Sequence, residues 1–375
     1  MRGKEVRLIF LAVSLVILMI SASFAEDLKT SVDLTAVGMG ARPIALGGAY
    51  TGIADDASAI FTNPAGLGNQ NTLSFVSMST QILTCVDYQL AGFSYPTQYG
   101  TFGLGYIAAS TPAGDYIHMV GSTTVEGGAM NYTNQMLILS YGGNFSDQAR
   151  ATFIGKDNVK YFGLGANVKL LSQGLSGSIR TAPSASGLTA DIGAIYAIND
   201  RVTVGAAVQN LGGSLSWSTG EREKLPMLLK LGGAYKALDN VTVALDTDFD
   251  LDGGRDMVAH SGVEWQVIQY LALRAGIDQK AASVDDATTG SATSYTAGVG
   301  LMFQGFRFDY AYRQDPNYSE FSTHYFSLCF TGPEIGGPAK TENDTISQSK
   351  TENNNISQYE KLLEKNAEVA KTDSQ

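Results

Sequence analysis

Cysteine is almost absent. Cys85 and Cys329 are the only two in 375 residues. Their separation excludes a CxxC or zinc-ligand spacing and excludes a disulfide-stapled scaffold. Each sits in a strand-like segment and reads either as a small, partly buried residue or as half of one bridge. The three histidines, His118, His260 and His324, are scattered, so no histidine metal cluster or acid–base set forms. No P-loop, dinucleotide fingerprint or Ser-His-Asp order is present, and no enzyme is expected. Charge is low at 16%, and the net charge of −11 is acidic. A nucleic-acid binder needs a basic stripe to displace counterions, so that class is excluded. After residue 25 no run is apolar and long enough for a membrane helix.

What is present points to an exported β protein. Arg2, Lys4 and Arg7 precede the apolar run Leu8–Ile20, and Ser23-Phe24-Ala25 supplies small residues at a cleavage position. Residues 1–25 therefore read as a signal peptide removed before Glu26. Gly (42) and Tyr (18) are abundant and Pro (9) is scarce, which favours strands and tight turns. An exported chain without a membrane helix can still span a membrane as a closed barrel, because closure satisfies every backbone group.

From Thr72 the chain alternates with period two. Leu188, Ala190, Ile192, Ala194 and Tyr196 interleave with Thr189, Asp191 and Gly193. Val241, Val243, Leu245 and Phe249 interleave with Asp246, Asp248 and Asp250. Leu271, Leu273, Ala275 and Ile277 oppose Arg274 and Asp278. One face is apolar, the other small or polar, as in half-buried strands. About fourteen such segments are expected, near 72–80, 85–95, 100–110, 132–143, 158–172, 186–198, 201–211, 227–237, 240–250, 257–267, 269–279, 293–304, 305–313 and 321–331. Tight connections such as Asn199-Asp200 alternate with long polar ones at 111–131, 144–157, 212–225 and 280–292. The expected fold is all-β, a transmembrane antiparallel barrel of about fourteen strands at residues 72–331. Its apolar face meets outer-membrane lipid, and its small and charged face lines the lumen. Such a lumen is too wide for its own side chains to fill, which leaves room for the Gly- and Ala-rich residues 26–71 as an N-terminal helical plug. The polar tail, residues 332–375, holds a short repeat (KTENDTISQS, then KTENNNISQY) and is expected to be a disordered periplasmic tail, or alternatively a docking peptide for a periplasmic partner.

The stretch Gly40–Gly68, GARPIALGGAYTGIADDASAIFTNPAGLG, carries a family resemblance. Asp55-Asp56, Ala59 and Asn63-Pro64-Ala65-Gly66 resemble the N-terminal signature of the PorV/PorQ family, within the wider FadL-like group of outer-membrane barrels. The strings DIGAIY at 191–196, VQNLG at 208–212, GVE at 262–264 and LRAG at 273–276 add to it, and the likeness covers about residues 36–331. The resemblance implies a fourteen-stranded barrel with an internal plug, in the outer membrane of a diderm bacterium. It implies transport of hydrophobic small molecules, as in FadL-like members. The alternative is a PorV-like part in type IX secretion, with exported proteins or the secretion machinery as partners. The repeated tail belongs to neither pattern.

The candidate site residues follow. Asp55 or Asp56 caps a helix over Ala57–Phe61. Pro64 after Asn63 stops it, and Gly66 and Gly68 turn the chain into the first strand. Asp55, Asp56, Asn63, Pro64, Ala65 and Gly66 either only shape the plug or also contact ligand and gate it. Asp191, Glu264, Arg274, Arg307, Asp309 and Arg313 are expected to face the lumen as one charged network, bracing the wall or lining a polar path. Asp248, Asp250, Asp252 and Asp256 follow the opening of a calcium loop, D-x-D-x-D-G, but Ala259 stands where the bidentate Glu belongs. They read as a Ca²⁺ site or as lumenal aspartates running into a polar turn.

Overall fold

The computed structural model describes residues 34–82, 85–111, 114–120, 123–146, 161–177, 182–253, 257–280, 292–316 and 321–335. The expected signal peptide and, beyond residue 335, the expected tail lie outside the described residues. The strands are β1 (Thr72–Ile82), β2 (Val86–Thr97), β3 (Gly100–Ser110), β4 (Gly114–Val120), β5 (Thr123–Asn144), β6 (Tyr161–Gly177), β7 (Ser184–Ala197) and β8 (Val202–Trp217). They continue as β9 (Arg222–Lys224), β10 (Leu228–Leu238), β11 (Val241–Asp250), β12 (Val258–Ile268), β13 (Leu271–Lys280), β14 (Ala292–Phe303), β15 (Phe306–Arg313) and β16 (Thr323–Glu334).

Fourteen of these close into an antiparallel barrel. Successive strands pair as hairpins, β8 pairs with β10, and β16 neighbours β1. Across that last seam Thr80 Oγ1 donates to the His324 carbonyl at 2.7 Å. The remaining two strands are extensions: β4 pairs back onto the long β5, and β9 onto the end of β8. They occupy connections expected to be plain polar loops at 111–131 and 212–225. Neither stretch shows the ten-residue alternation of a wall strand.

Side-chain alternation sorts the wall into two faces. Leu104, Leu139, Val168, Leu188, Leu245, Val263, Leu273 and Leu301 are exposed on the outside. Gly165, Asn167, Lys169, Asp191, Glu264, Arg274 and Asp309 face inward. Five of the six connections at one end are short: those after β2, β7, β10, β12 and β14. Outward aromatics gather near that end, with cross-strand ring pairs Phe102–Tyr141 (5.3 Å), Phe162–Tyr196 (6.5 Å) and Phe306–Phe330 (4.8 Å). An apolar outer belt with an aromatic girdle is the surface a lipid-embedded barrel presents.

Residues 34–69 occupy the lumen. They form a short α-helix, Ala41–Ala45, and 3₁₀ turns at Leu34–Ala36, Ala57–Phe61 and Pro64–Asn69. This segment touches strands all the way round. Tyr88 on β2 donates to the Leu34 and Gly38 carbonyls. Asn167 on β6 donates to the Ile60 carbonyl, Gln209 on β8 to the Thr62 carbonyl, and Thr296 on β14 to the Ala45 carbonyl. Ser327 on β16 accepts from the Ala41 amide. Only a segment inside a closed ring can meet strands on opposite walls.

Its fit depends on wall glycines. A Cβ on Gly165 would lie 2.3 Å from the Pro64 carbonyl carbon, and one on Gly276 2.3 Å from the Gly47 nitrogen. Real side chains never approach that closely, so the absent side chains are the space in which the lumenal backbone lies.

Cys85, at the β1–β2 hairpin, is exposed and free, and Cys329 on β16 is buried and free. No bridge joins them.

Candidate functional site

The lumenal segment is built from local rules. The helix Ala41–Ala45 stops at Gly47 and Gly48, which take φ of 67° and 92°, values that favour glycine. The Asp56 side chain accepts from the Ser58 amide at 2.9 Å and so caps Ala57–Phe61, as one of the two expected aspartates. That element is a 3₁₀ turn. Asn63 caps a further 3₁₀ turn, accepting from the Ala65 amide at 3.2 Å, with Pro64 at its first position. Pro64 therefore opens a new helical turn as well as ending the previous one, because its missing N–H costs nothing there. Asn63 Nδ2 also donates to the Thr51 and Ala194 carbonyls, tying the turn to β7. Gly66 packs on the Ala54 backbone so closely that a Cβ would stand 1.8 Å from the Ala54 oxygen.

The centre of the site is Arg42. Its Nε and Nη2 each lie 2.8 Å from a Glu264 oxygen, a fork-on-fork pair with β12. Its Nη1 donates to Asp55 at 2.5 Å, to the Tyr50 hydroxyl at 2.9 Å and to Asp56 at 3.4 Å. Glu264 also accepts from Arg274 Nε at 2.6 Å, in the register Glu264↔Arg274. Arg274 reaches Asp309 at 2.7 Å, and Arg307 bridges Asp309 (2.6 Å) to Asp56 (2.5 Å). Three arginines and four carboxylates thus lock the lumenal segment to β12, β13 and β15. Asp56 belongs to the lumenal segment, not to a spanning strand. Burial pushes its carboxyl up, Arg307 and Arg42 pull it down, and the net lies well below the usual carboxylate range.

The six expected network residues do not form one cluster. Glu264, Arg274, Arg307 and Asp309 do. Arg313 instead pairs with Asp278. Those two sit four residues along their strands from Asp309 and Arg274, about 13 Å away at 3.3 Å per residue. Asp191, on β7, belongs to a third, fully buried group. It pairs with Lys169 Nζ at 2.8 Å and accepts from Asn167 Nδ2 (2.8 Å) and the Asn210 amide (2.9 Å). There the β7–β8 register shifts in mid-strand, and Asn210 takes φ of 61°.

The expected calcium ligands do not converge. Asp248 pairs with Lys230 at 2.8 Å and faces His260 at 3.5 Å. Asp252 pairs with Lys224 at 2.6 Å, and Asp250 accepts from the Asp252 amide at 2.8 Å. Asp256 lies outside the described residues. Strand alternation sends Asp248 and Asp250 inward, while Asp252 belongs to the turn beyond β11. Among the described residues no three His, Cys, Asp or Glu side chains gather as a metal site.

Arg42, Tyr50 and Asp246 were not among the expected residues. Asp246 Oδ2 accepts from the Tyr50 and Thr51 amides at 2.7 and 2.6 Å. A signal for Arg42 exists: it is the sole cation in Gly40–Gly68, where Asp55 and Asp56 are the sole acids.

A cavity lies on either side of the lumenal segment, each of about 460 Å³. At the short-turn end the lining includes Arg42, Asp55, Arg201, Lys236 and Glu264. At the long-loop end Val37, Met39, Ile44, Leu228 and Val258 form an apolar part, and Lys230, Asp248, His260, Asp278 and Arg313 a charged one. A FadL-like channel implies an apolar pocket beside the plug; the observed cavity is mixed, because inward positions of β10–β15 carry charge.

The fold is shared with known transporters. The Ralstonia pickettii toluene transporter TbuX superposes with a TM-score of 0.52 at 14% identity, over 79% of this chain and 99% of that one. The CymD monoaromatic hydrocarbon channel gives 0.53 at 13%, over 82% and 100%. The P. putida toluene transporter TodX gives 0.52 at 15%, over 82% and 100%. At these identities the likeness is one of fold. No protein-family model matches the sequence, and no curated protein matches it.

Proposed function

We propose that the chain is a FadL-like outer-membrane channel for hydrophobic small molecules, with residues 26–71 as its internal plug. The observation that carries this reading is the occupied lumen: a segment locked to the wall by Arg42, with one cavity above and one below. The apolar outer belt supports residence in a lipid bilayer. The toluene and monoaromatic hydrocarbon proteins with the same fold support the substrate class. The finer PorV/PorQ assignment, and with it a secretion role, rests on the Gly40–Gly68 motif and the short strings at 191–196, 208–212, 262–264 and 273–276.

Uptake tests the reading. Cells expressing the full chain are expected to accumulate labelled toluene faster than cells without it. Unchanged uptake, with folded barrel present in the outer membrane, overturns it. Co-purification with a large translocon in place of uptake returns the secretion reading.

A further inference from the structure

The long-loop cavity holds an unmet chemical demand. Gln209, 1% exposed on β8, lines it. Its Nε2 donates to the Phe61 and Thr62 carbonyls at 3.3 and 3.0 Å. Two carbonyls can only be met by the amide nitrogen, so the orientation is set and Oε1 is left over. No protein group donates to that buried oxygen. On β11 the same situation recurs. Asp250 Oδ1 accepts from the Asp252 amide, while the buried Oδ2 has no donor. The register places both at one level of the wall, Gln209↔Leu228 and Leu228↔Asp250. Two orphan acceptors therefore flank an apolar side chain. An unmet buried acceptor is costly, and a bound donor relieves that cost.

Two of the cavity's cations are already matched. Lys230 pairs with Asp248, and Arg313 with Asp278. A carboxylate ligand would meet two further acceptors and no spare donor at this level. An ammonium ligand would share the cavity with Lys280 as well as with these two paired cations. A neutral hydroxyl meets neither objection.

We propose that this cavity selects an apolar molecule bearing a hydroxyl, a phenol or alcohol, over the bare hydrocarbon. The hydroxyl donates to Gln209 Oε1 or Asp250 Oδ2, and the apolar body lies on Leu228, Val258 and the Val37–Met39 side of the plug. The proposal rests on the transport reading and names its substrate class. It makes Gln209 and Asp250 specificity-determining residues.

The test is calorimetric titration of the full chain in lipid nanodiscs with p-cresol and with toluene, with empty nanodiscs as the blank. The expected result is p-cresol binding tighter by about tenfold, as one satisfied buried acceptor gives. Asp250→Asn keeps Oδ1 for the Asp252 amide and turns the other position into a donor. Gln209→Met removes the acceptor on β8, and also two bonds to the plug, so Asp250→Asn stands as the variant that leaves the plug untouched. At least one of them is expected to cut p-cresol affinity about fivefold with toluene unchanged. Equal binding of the two ligands overturns the proposal, with water meeting the acceptors, and leaves the transport reading standing. A p-cresol preference that survives both substitutions overturns the placement. Binding of neither ligand above the blank overturns the proposal and the transport reading together.

Discussion

Arg42 holds three carboxylates at once, and only an arginine has the forked donors to do so. Removing it leaves Glu264, Asp55 and Asp56 facing one another with Arg274 and Arg307 as the remaining cations. Breaking a buried charge network from one side costs about 3–5 kcal/mol. Arg42→Met is therefore expected to lower the thermal midpoint of the folded barrel in a gel-shift melt, and to make residues 34–69 accessible to protease. Arg42→Lys is expected to recover only part of the loss, since a point charge cannot match the Glu264 fork. Asp246 gives a second handle. Asp246→Ala strips the Tyr50 and Thr51 amides of their acceptor, at about 1–3 kcal/mol for each unsatisfied donor. Amide hydrogen exchange at Tyr50 and Thr51 is expected to rise sharply. Unchanged exchange there would mean that Asp246 does not hold the segment.

The wall strands act as a patterned surface with two different tolerances. On the inside, the plug backbone sits where side chains are missing. Gly276→Ala is expected to dislodge it, since the new Cβ meets the Gly47 and Leu46 backbone at 2.3 and 2.4 Å; Gly174→Ala, with nothing nearer than 3.6 Å, is expected to be silent. Limited proteolysis of the two variants checks this pair. On the outside, Leu245→Arg places a charge in the lipid belt, at about 2–4 kcal/mol near the midplane. Refolding into bilayers is expected to suffer from it, whereas the inward Lys230, two strand positions from Leu228, has Asp248 as its counter-charge at 2.8 Å. All fourteen wall strands were legible in the sequence, because an apolar belt imposes period two on every crossing. The extensions β4 and β9 were not, because strands outside the belt carry no such demand. Inward direction was equally legible: Glu264 and Arg274 follow from alternation and a tight hairpin. The clustering of inward charges was not. Arg42 meets Glu264 across 222 positions of sequence, and no local pattern records which level of the lumen each charge occupies. Arg313 was grouped with Arg307 for that reason, although six residues put it at another height.

At the scale of the whole molecule, the barrel and its contents are one device. Fourteen strands enclose more space than their own side chains fill. Residues 34–69 take up that space and divide it into two cavities, one at the short-turn end and one at the long-loop end, each with charged and apolar lining. The central claim is that this segment closes the lumen. Single-channel conductance in planar bilayers tests it most directly, comparing the full chain with a variant whose residues 40–68 are replaced by a Gly/Ser linker. Both proteins are first shown to be folded by their gel-shift melts. The expected result is near-zero ion conductance for the full chain and a steady open pore for the variant. Equal conductance from the two folded proteins would contradict a closing role for the lumenal segment.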